Sequence, residues 1–452
     1  MKAPHPIGRQ VKSPESVHGE LLLAQRLVLW LLPLSAAVGG SLFEVDLGPI
    51  PIYPFKVIVP LVFAITLVTT PVRRRPEPEV LILSLLLTWA AVGAVWAVEP
   101  AAAVATSSIF AFAIMLFATL HFWGADAVPD LIMGWRVALA ATALVALGEL
   151  ATGLHLPTAF VEERGGAVGG VVLSVFTNPN DFGAFLAIAI PISLFPARGR
   201  TPRWAWPLAA GSAALLLIAA SRFALLGLAA AGLVVLVRYR RKWWSLLTGW
   251  LALLVGLGSA IVLIAIGAGI ATKVTVLFEP GAFGDTSAGI RIALAANGLW
   301  AVARTGGVGL GGGGFEPMVR SGDIPVALRE GVLNPHNMWI ELVSEFGVVG
   351  ITLFGALLAV IWRRATAEHR PAEPTATILW MSLASYVLAV CTSSSYVSSP
   401  VSWTFLATAS LISLHLPTMN DEAPDPIRGY LSTPHAGRLE RRSPRPLTEP
   451  TA

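Results

Sequence analysis

The chain has 452 residues, of which 55% are hydrophobic and only 13% charged, and its mean hydropathy is +0.71. A soluble domain carries roughly a quarter charged residues, so an ordinary soluble enzyme and a disordered scaffold are both excluded, and most of the solvent must be lipid. The single cysteine, Cys391, excludes an internal disulfide and any multi-Cys metal or cluster site, and the net charge of +4 comes from short basic clusters between apolar segments, not from a nucleic-acid surface.

Residues 1–20 are polar and weakly basic, and read as a cytoplasmic segment. Leu21–Val45 is too long for a signal-peptide core and lacks a small-residue cleavage site, so it reads as an uncleaved first span. Further apolar stretches at 53–70, 79–98, 101–122, 131–152, 171–197, 204–221, 223–237, 243–271, 338–362, 375–396 and 400–417 bring the total to about twelve. They fall into N-terminal helices (21–170), central helices (171–271) and C-terminal helices (338–417), with an extracytoplasmic loop at 272–337. The tail, 418–452, is Pro- and Arg-rich without periodicity and reads as a disordered cytoplasmic segment. The expected fold class is an all-α polytopic membrane protein with about 12 transmembrane helices and one large outer loop.

Basic clusters orient the chain. Arg73 to Arg75, Arg198 with Arg200 and Arg203, Arg238 with Arg240 to Lys242, and Arg363 with Arg364 sit in short connections, which places them in the cytoplasm. Trp204 to Val237 lies between two such clusters and would be about 50 Å long as one helix, so it must be a hairpin. Its midpoint is Ser221-Arg222, which places Arg222 at an outer tip where the guanidinium reaches water. The same counting places 272–337 outside.

Three elements of that outer face carry chemistry. In the long loop, Ile290 to Ala303 has helical spacing and puts Arg291 in the first turn of a helix on or in the membrane. The glycine run that follows, including Gly309 and Gly311, is either a backbone nest for phosphate oxygens or a flexible turn; without a following Gly-Lys-Ser/Thr it is not a nucleotide P-loop. The loop ends in Asn334-Pro335-His336-Asn337, with Asn337 suited to cap the helix after it. The positive end of that helix disfavours imidazolium, so His336 is either a neutral general base or a solvated capping residue. Asn178-Pro179-Asn180 breaks an apolar run, and either lines a wet cavity or caps a helix. Glu149, Glu341 and Glu345 read as snorkelling carboxylates. Two arginines with one histidine on one face suit a diphosphate leaving group, held by bidentate charge-assisted bonds. With no cytoplasmic nucleotide supply outside, a transferred group would need a donor already anchored in the bilayer.

Asn178-Pro179-Asn180, Ser221-Arg222 opening an apolar helix, Arg291 followed by Trp300, the glycines from Gly307 to Gly311, and Pro335-His336-Asn337 followed by Glu345 to Gly350 together resemble the O-antigen ligase and Wzy-type polymerase superfamily. The resemblance covers roughly residues 170 to 362. It implies a GT-C-like, metal-independent glycosyltransferase without a cofactor, in the cell inner (plasma) membrane, with its active site on the extracytoplasmic face. The implied donor is an undecaprenyl-diphosphate-linked glycan and the acceptor a hydroxyl on a glycan, lipid or protein. Arg222 and Arg291 would hold the diphosphate and His336 would take the acceptor proton. Asn178, Asn180, Ser221, Gly309, Gly311 and Asn337 would shape the substrate site. The alternatives are a polymerase of the same superfamily, or a polysaccharide or lipid transporter, which would show repeated broken helices in both halves.

Overall fold

The computed structural model describes residues 14–43, 45–47, 50–69, 76–157, 171–197, 200–219, 221–243, 287–328, 333–367, 374–391 and 397–421. Among these the architecture is helical apart from one short hairpin, β1 (Val45–Leu47) with β2 (Ile50–Ile52), paired antiparallel with Val45 opposite Ile52. The helices are α1 (Pro14–Leu42), α2 (Pro54–Thr69), α3 (Pro78–Gly93), α4 (Pro100–Trp123), α5 (Val128–Thr152), α6 (Pro179–Ser193), α7 (Ala205–Ala219), α8 (Arg222–Trp243), α9 (Ser287–Arg304), α10 (Phe315–Arg320), α11 (Met338–Ala367), α12 (Pro374–Ala389) and α13 (Pro400–Asp421). Each expected apolar segment contains one helix, except 243–271, which beyond Trp243 lies outside the described residues.

Two stretches, Pro100–Thr152 and Met338–Thr366, are long and apolar enough to cross a membrane. The first is α4 and α5 joined by a 3-10 turn at Gly124–Ala127, where Gly124 leaves the helical region at φ 68°. Other apolar helices are shorter, at 10–17 residues.

Several boundaries differ from the expected ones for local reasons. The first helix begins at Pro14, not 21, because helical geometry continues into the polar segment; Gly39 at φ 47° kinks it before its end. The 171–197 stretch is mostly buried but only Pro179–Ser193 is helical, because Asn178 caps the start with Pro179 at the first position. At the far end Arg136 Nε donates to Ser193 O and its Nη2 to Phe195 O, both at 2.8 Å, so a buried guanidinium satisfies the last carbonyl of α6 and one two residues beyond it. The helix after His336 is interrupted at Gly347, φ 64° and ψ −159°, leaving Val348–Ala367 as a helical segment of about 30 Å.

α13 is buried on every side from Val401 to Ser413 and forms the centre of the bundle. Around it Trp135 stacks on Phe185 at 6.2 Å, Tyr386 stacks on Phe405 at 5.0 Å, and Trp403 meets Phe110 and Phe354 edge-on. In lipid the tails compete with apolar side chains, so helices associate through close packing and interhelical hydrogen bonds. Small residues supply the close approach: a Cβ at Gly183 would collide with Ser221, and one at Gly227 would lie 2.7 Å from Ser385 O. Ser385 Oγ in turn donates to Ala187 O at 2.6 Å, which locks α6, α8 and α12 together.

Candidate functional site

Interhelical bonds sort the helix ends into two sets. At one end, Met338 N donates to Val390 O (3.1 Å), Trp96 Nε1 to Gly309 O (3.0 Å) and Trp89 Nε1 to Phe346 O (2.7 Å), while Ser221 touches the start of α6. At the opposite end, Arg364 bridges Glu79 (2.6 Å) and Glu77 (2.9 Å), Ser410 Oγ donates to Glu79, and His121 Nε2 meets Ser410 Oγ at 3.0 Å. Asn178, Ser221, Arg222, Gly309, Gly311, His336 and Asn337 all lie at helix starts or loops of the first set.

His336 has φ 49°, the left-handed region that few non-glycine residues adopt. Asn334 Oδ1 accepts the His336 amide at 2.8 Å, closing an Asx turn over Pro335. The next residue, Asn337, accepts from Trp339 N (2.9 Å) and Ile340 N (3.3 Å), the helix cap that the sequence suggests. The histidine is thus fixed between two asparagine-built turns, and its backbone conformation costs about 1–3 kcal/mol that the surroundings must offset.

Arg291 lies in the second turn of α9, one turn later than its spacing suggests, because the helix starts by Ser287. Arg222 is the exposed first residue of α8 and follows Ser221, whose carbonyl accepts Leu225 N at 2.9 Å. Ser221 Oγ is buried and has no hydrogen-bond partner among the described residues. Burial, and then the charge of Arg222, lower the pKa of Arg291. Burial, and then Arg291, lower that of His336. Arg291 therefore lies between the other two, with Arg222 on one side and, on the other, a histidine biased to its neutral form by burial and by Arg291.

Asn178 caps α6. Its Oδ1 accepts from Asn180 N (2.8 Å) and Asp181 N (3.0 Å), and its Nδ2 donates to Asp181 Oδ2 at 2.6 Å. Of the two readings open in the sequence, capping is the observed one. The segment before it is held by Glu149, whose Oε2 accepts Leu173 N (3.0 Å) and Ser174 N (2.8 Å), with Ser174 at φ 56°.

The glycine run is a packing joint. Gly309 N donates to Thr305 Oγ1, Leu310 N to Ser344 O, Gly311 N to Glu345 O and Gly313 N to Glu345 Oε2, all at 2.8–3.0 Å. These amides are engaged within the protein, which leaves Gly309 and Gly311 as close-approach residues against α11. A side chain at Gly309 would lie 2.5 Å from Glu345 O.

The snorkelling reading of Glu149, Glu341 and Glu345 is corrected: they are only 5–6% exposed, and each accepts a backbone amide. Each lies near a broken or turning backbone with surplus amides, a signal that a carboxylate beside a glycine or proline break could have carried. Among the described residues no group of three His, Cys, Asp or Glu side chains could hold a metal ion.

Comparison with family models matches residues 183–355 to a family described as O-Antigen ligase. The match contains Ser221, Arg222, Arg291, Gly309, Gly311, His336 and Asn337, while Asn178 and Asn180 precede it. Comparison with curated proteins gives no match. Residues 183–355 are therefore similar to the O-antigen ligase family, and this match supports placing that region of the chain in the O-antigen ligase superfamily, whose members are membrane proteins with glycosyltransferase-like activity.

Proposed function

We propose that this protein transfers a glycan from a polyprenyl-diphosphate lipid to an acceptor hydroxyl on the extracytoplasmic face, as a polytopic inner-membrane ligase of about twelve spans. The acceptor oxygen attacks the anomeric carbon, the carbon–oxygen bond to the diphosphate breaks, and the leaving group departs with the electron pair. Arg222 and Arg291 neutralise the charge that develops there, in the role a metal ion fills in other transferases. His336 takes the acceptor proton, and Asn337 and the glycine joint fix its position relative to Arg291. The observation that carries this reading is that Arg291 interacts electrostatically with both Arg222 and His336, three residues that come from three separate elements.

Reconstituted vesicles supplied with a polyprenyl-diphosphate glycan and candidate acceptors test it by product length. One transferred block supports a ligase, a ladder supports a polymerase, and absence of any glycosylated product removes the enzyme reading in favour of a transporter.

The pH dependence has a worked sign. A base must be neutral, so the rate falls as pH drops through the pKa of His336. Burial and Arg291 hold that pKa below the ordinary histidine value of about 6.5. The acid limb of kcat/KM against pH is therefore expected below 6.5, and to move up toward it in Arg291→Gln. A limb above 6.5 in the wild type would contradict His336 as the base.

A further inference from the structure

We propose that Glu345 is a positioning residue for transfer: its carboxylate clamps the glycine run onto α11 and thereby keeps Arg291 in register with His336. The inference rests on the glycosyltransferase reading above.

The clamp is dense. Glu345 Oε2 accepts Gly313 N at 2.8 Å, and Oε1 faces Phe315 N at 3.5 Å. The carbonyl of the same residue accepts Gly311 N at 2.9 Å, its neighbour Ser344 O accepts Leu310 N at 2.9 Å, and Val348 N returns a bond to Gly307 O at 2.9 Å. The run thus adds a short ribbon of backbone to the break in α11 at Gly347. A side chain at Gly347 would collide with Gly307 O, so the two chains meet backbone to backbone. A carboxylate suits this place because it only accepts, and its two oxygens match two amides.

The lever is α9. Its C-terminus runs directly into the glycine run through Gly307 N to Val302 O at 2.8 Å. Midway along, Gly298 lies against Ile340 of α11, where a Cβ would have no room. α9 is therefore held to α11 at two places, Gly298 and the Glu345 clamp. Arg291 lies about 10 Å along the helix beyond Gly298, on the side away from the clamp. The carboxylate holds Gly313 and Phe315, and Phe315 packs with Leu294 and Ala301 of α9, so its loss loosens α9 against α11 while the backbone bonds of the run remain, and Arg291 shifts relative to His336, which is built onto the start of α11.

The test uses the full chain in vesicles, with rates expressed per folded molecule. Misplacement by about 1 Å costs a rate of about 10²-fold. Glu345→Ala is expected to lose about that much in kcat, with KM for the polyprenyl-diphosphate glycan little changed. Glu345→Gln keeps one acceptor oxygen and is expected to recover about tenfold of the loss. Glu345→Asp, one methylene too short, should behave like the alanine variant. A purely structural carboxylate would lower the folded yield of all three and leave kcat per folded molecule unchanged, and that result overturns the inference. Amide exchange at Gly313 and Phe315 should accelerate in Glu345→Ala, and unchanged exchange there overturns the clamp whatever the assay gives. Wild-type vesicles that form no product sink the glycosyltransferase reading and the positioning role with it. An active wild type with a fully active Glu345→Ala sinks the positioning role alone.

Discussion

His336→Asn is expected to fold and insert normally while losing about 10²–10⁴-fold in kcat, the range seen when a general base is removed. Asparagine is the informative replacement because of the backbone. His336 sits at φ 49°, which asparagine tolerates and alanine resists by about 1–2 kcal/mol. His336→Ala therefore combines two losses, stability and proton transfer, whereas His336→Asn isolates the second. His336→Gly relaxes the backbone and should be as inactive as His336→Asn. If either variant kept the wild-type rate, the residue would be there for its left-handed turn and not for its imidazole. Thermal unfolding in detergent beside single-turnover rates separates the two effects.

Removing either arginine is the second large effect. Arg222→Ala should lower kcat/KM by about 10²–10³-fold, the loss typical of one electrostatic donor to a developing oxyanion. Arg291→Lys is the sharper variant, since it keeps the charge but replaces a rigid two-point fork with a point donor; a fall of about tenfold or more in kcat/KM is expected. The two side chains repel each other in the free protein, which adds to burial, the larger cause, in lowering the pKa of Arg291. A bound diphosphate relieves that repulsion, so the lipid donor should raise the unfolding temperature of the wild type and do so less in Arg222→Ala. A wild-type rate for Arg291→Lys would argue against a diphosphate clamp.

Much of the frame was legible because it is local. Asn337 caps the helix after it, and Ser221 stands outside helical geometry with α8 starting at Arg222, within a 34-residue apolar stretch too long for one span. Both follow from short-range rules on caps and span length. What was misread depends on distant partners. Glu149 is buried because amides 24 and 25 residues later need an acceptor, and Glu345 because Gly313, 32 residues earlier, does. No periodicity reports such a pairing, and an isolated carboxylate in an apolar run reads by default as snorkelling. The glycine run was misjudged for the same reason: its φ freedom is visible in sequence, whereas the α11 backbone that engages its amides is not. The 171–197 stretch looked like one long span because burial on all sides removes the polar face that marks a helix end. Arg136, which closes that helix from a different element, was not anticipated at all.

The proposed mechanism requires residues 222, 291 and 336 to converge on the outer side of the membrane. The direct measurement is proximity crosslinking in a Cys391→Ser background, with cysteine pairs at 222 and 291 and at 291 and 336, treated in intact cells with a short membrane-impermeant bismaleimide. Both pairs should link without permeabilisation, and the polyprenyl-diphosphate glycan should slow the reaction. Linking only after the cells are opened, or for neither pair, would contradict the account.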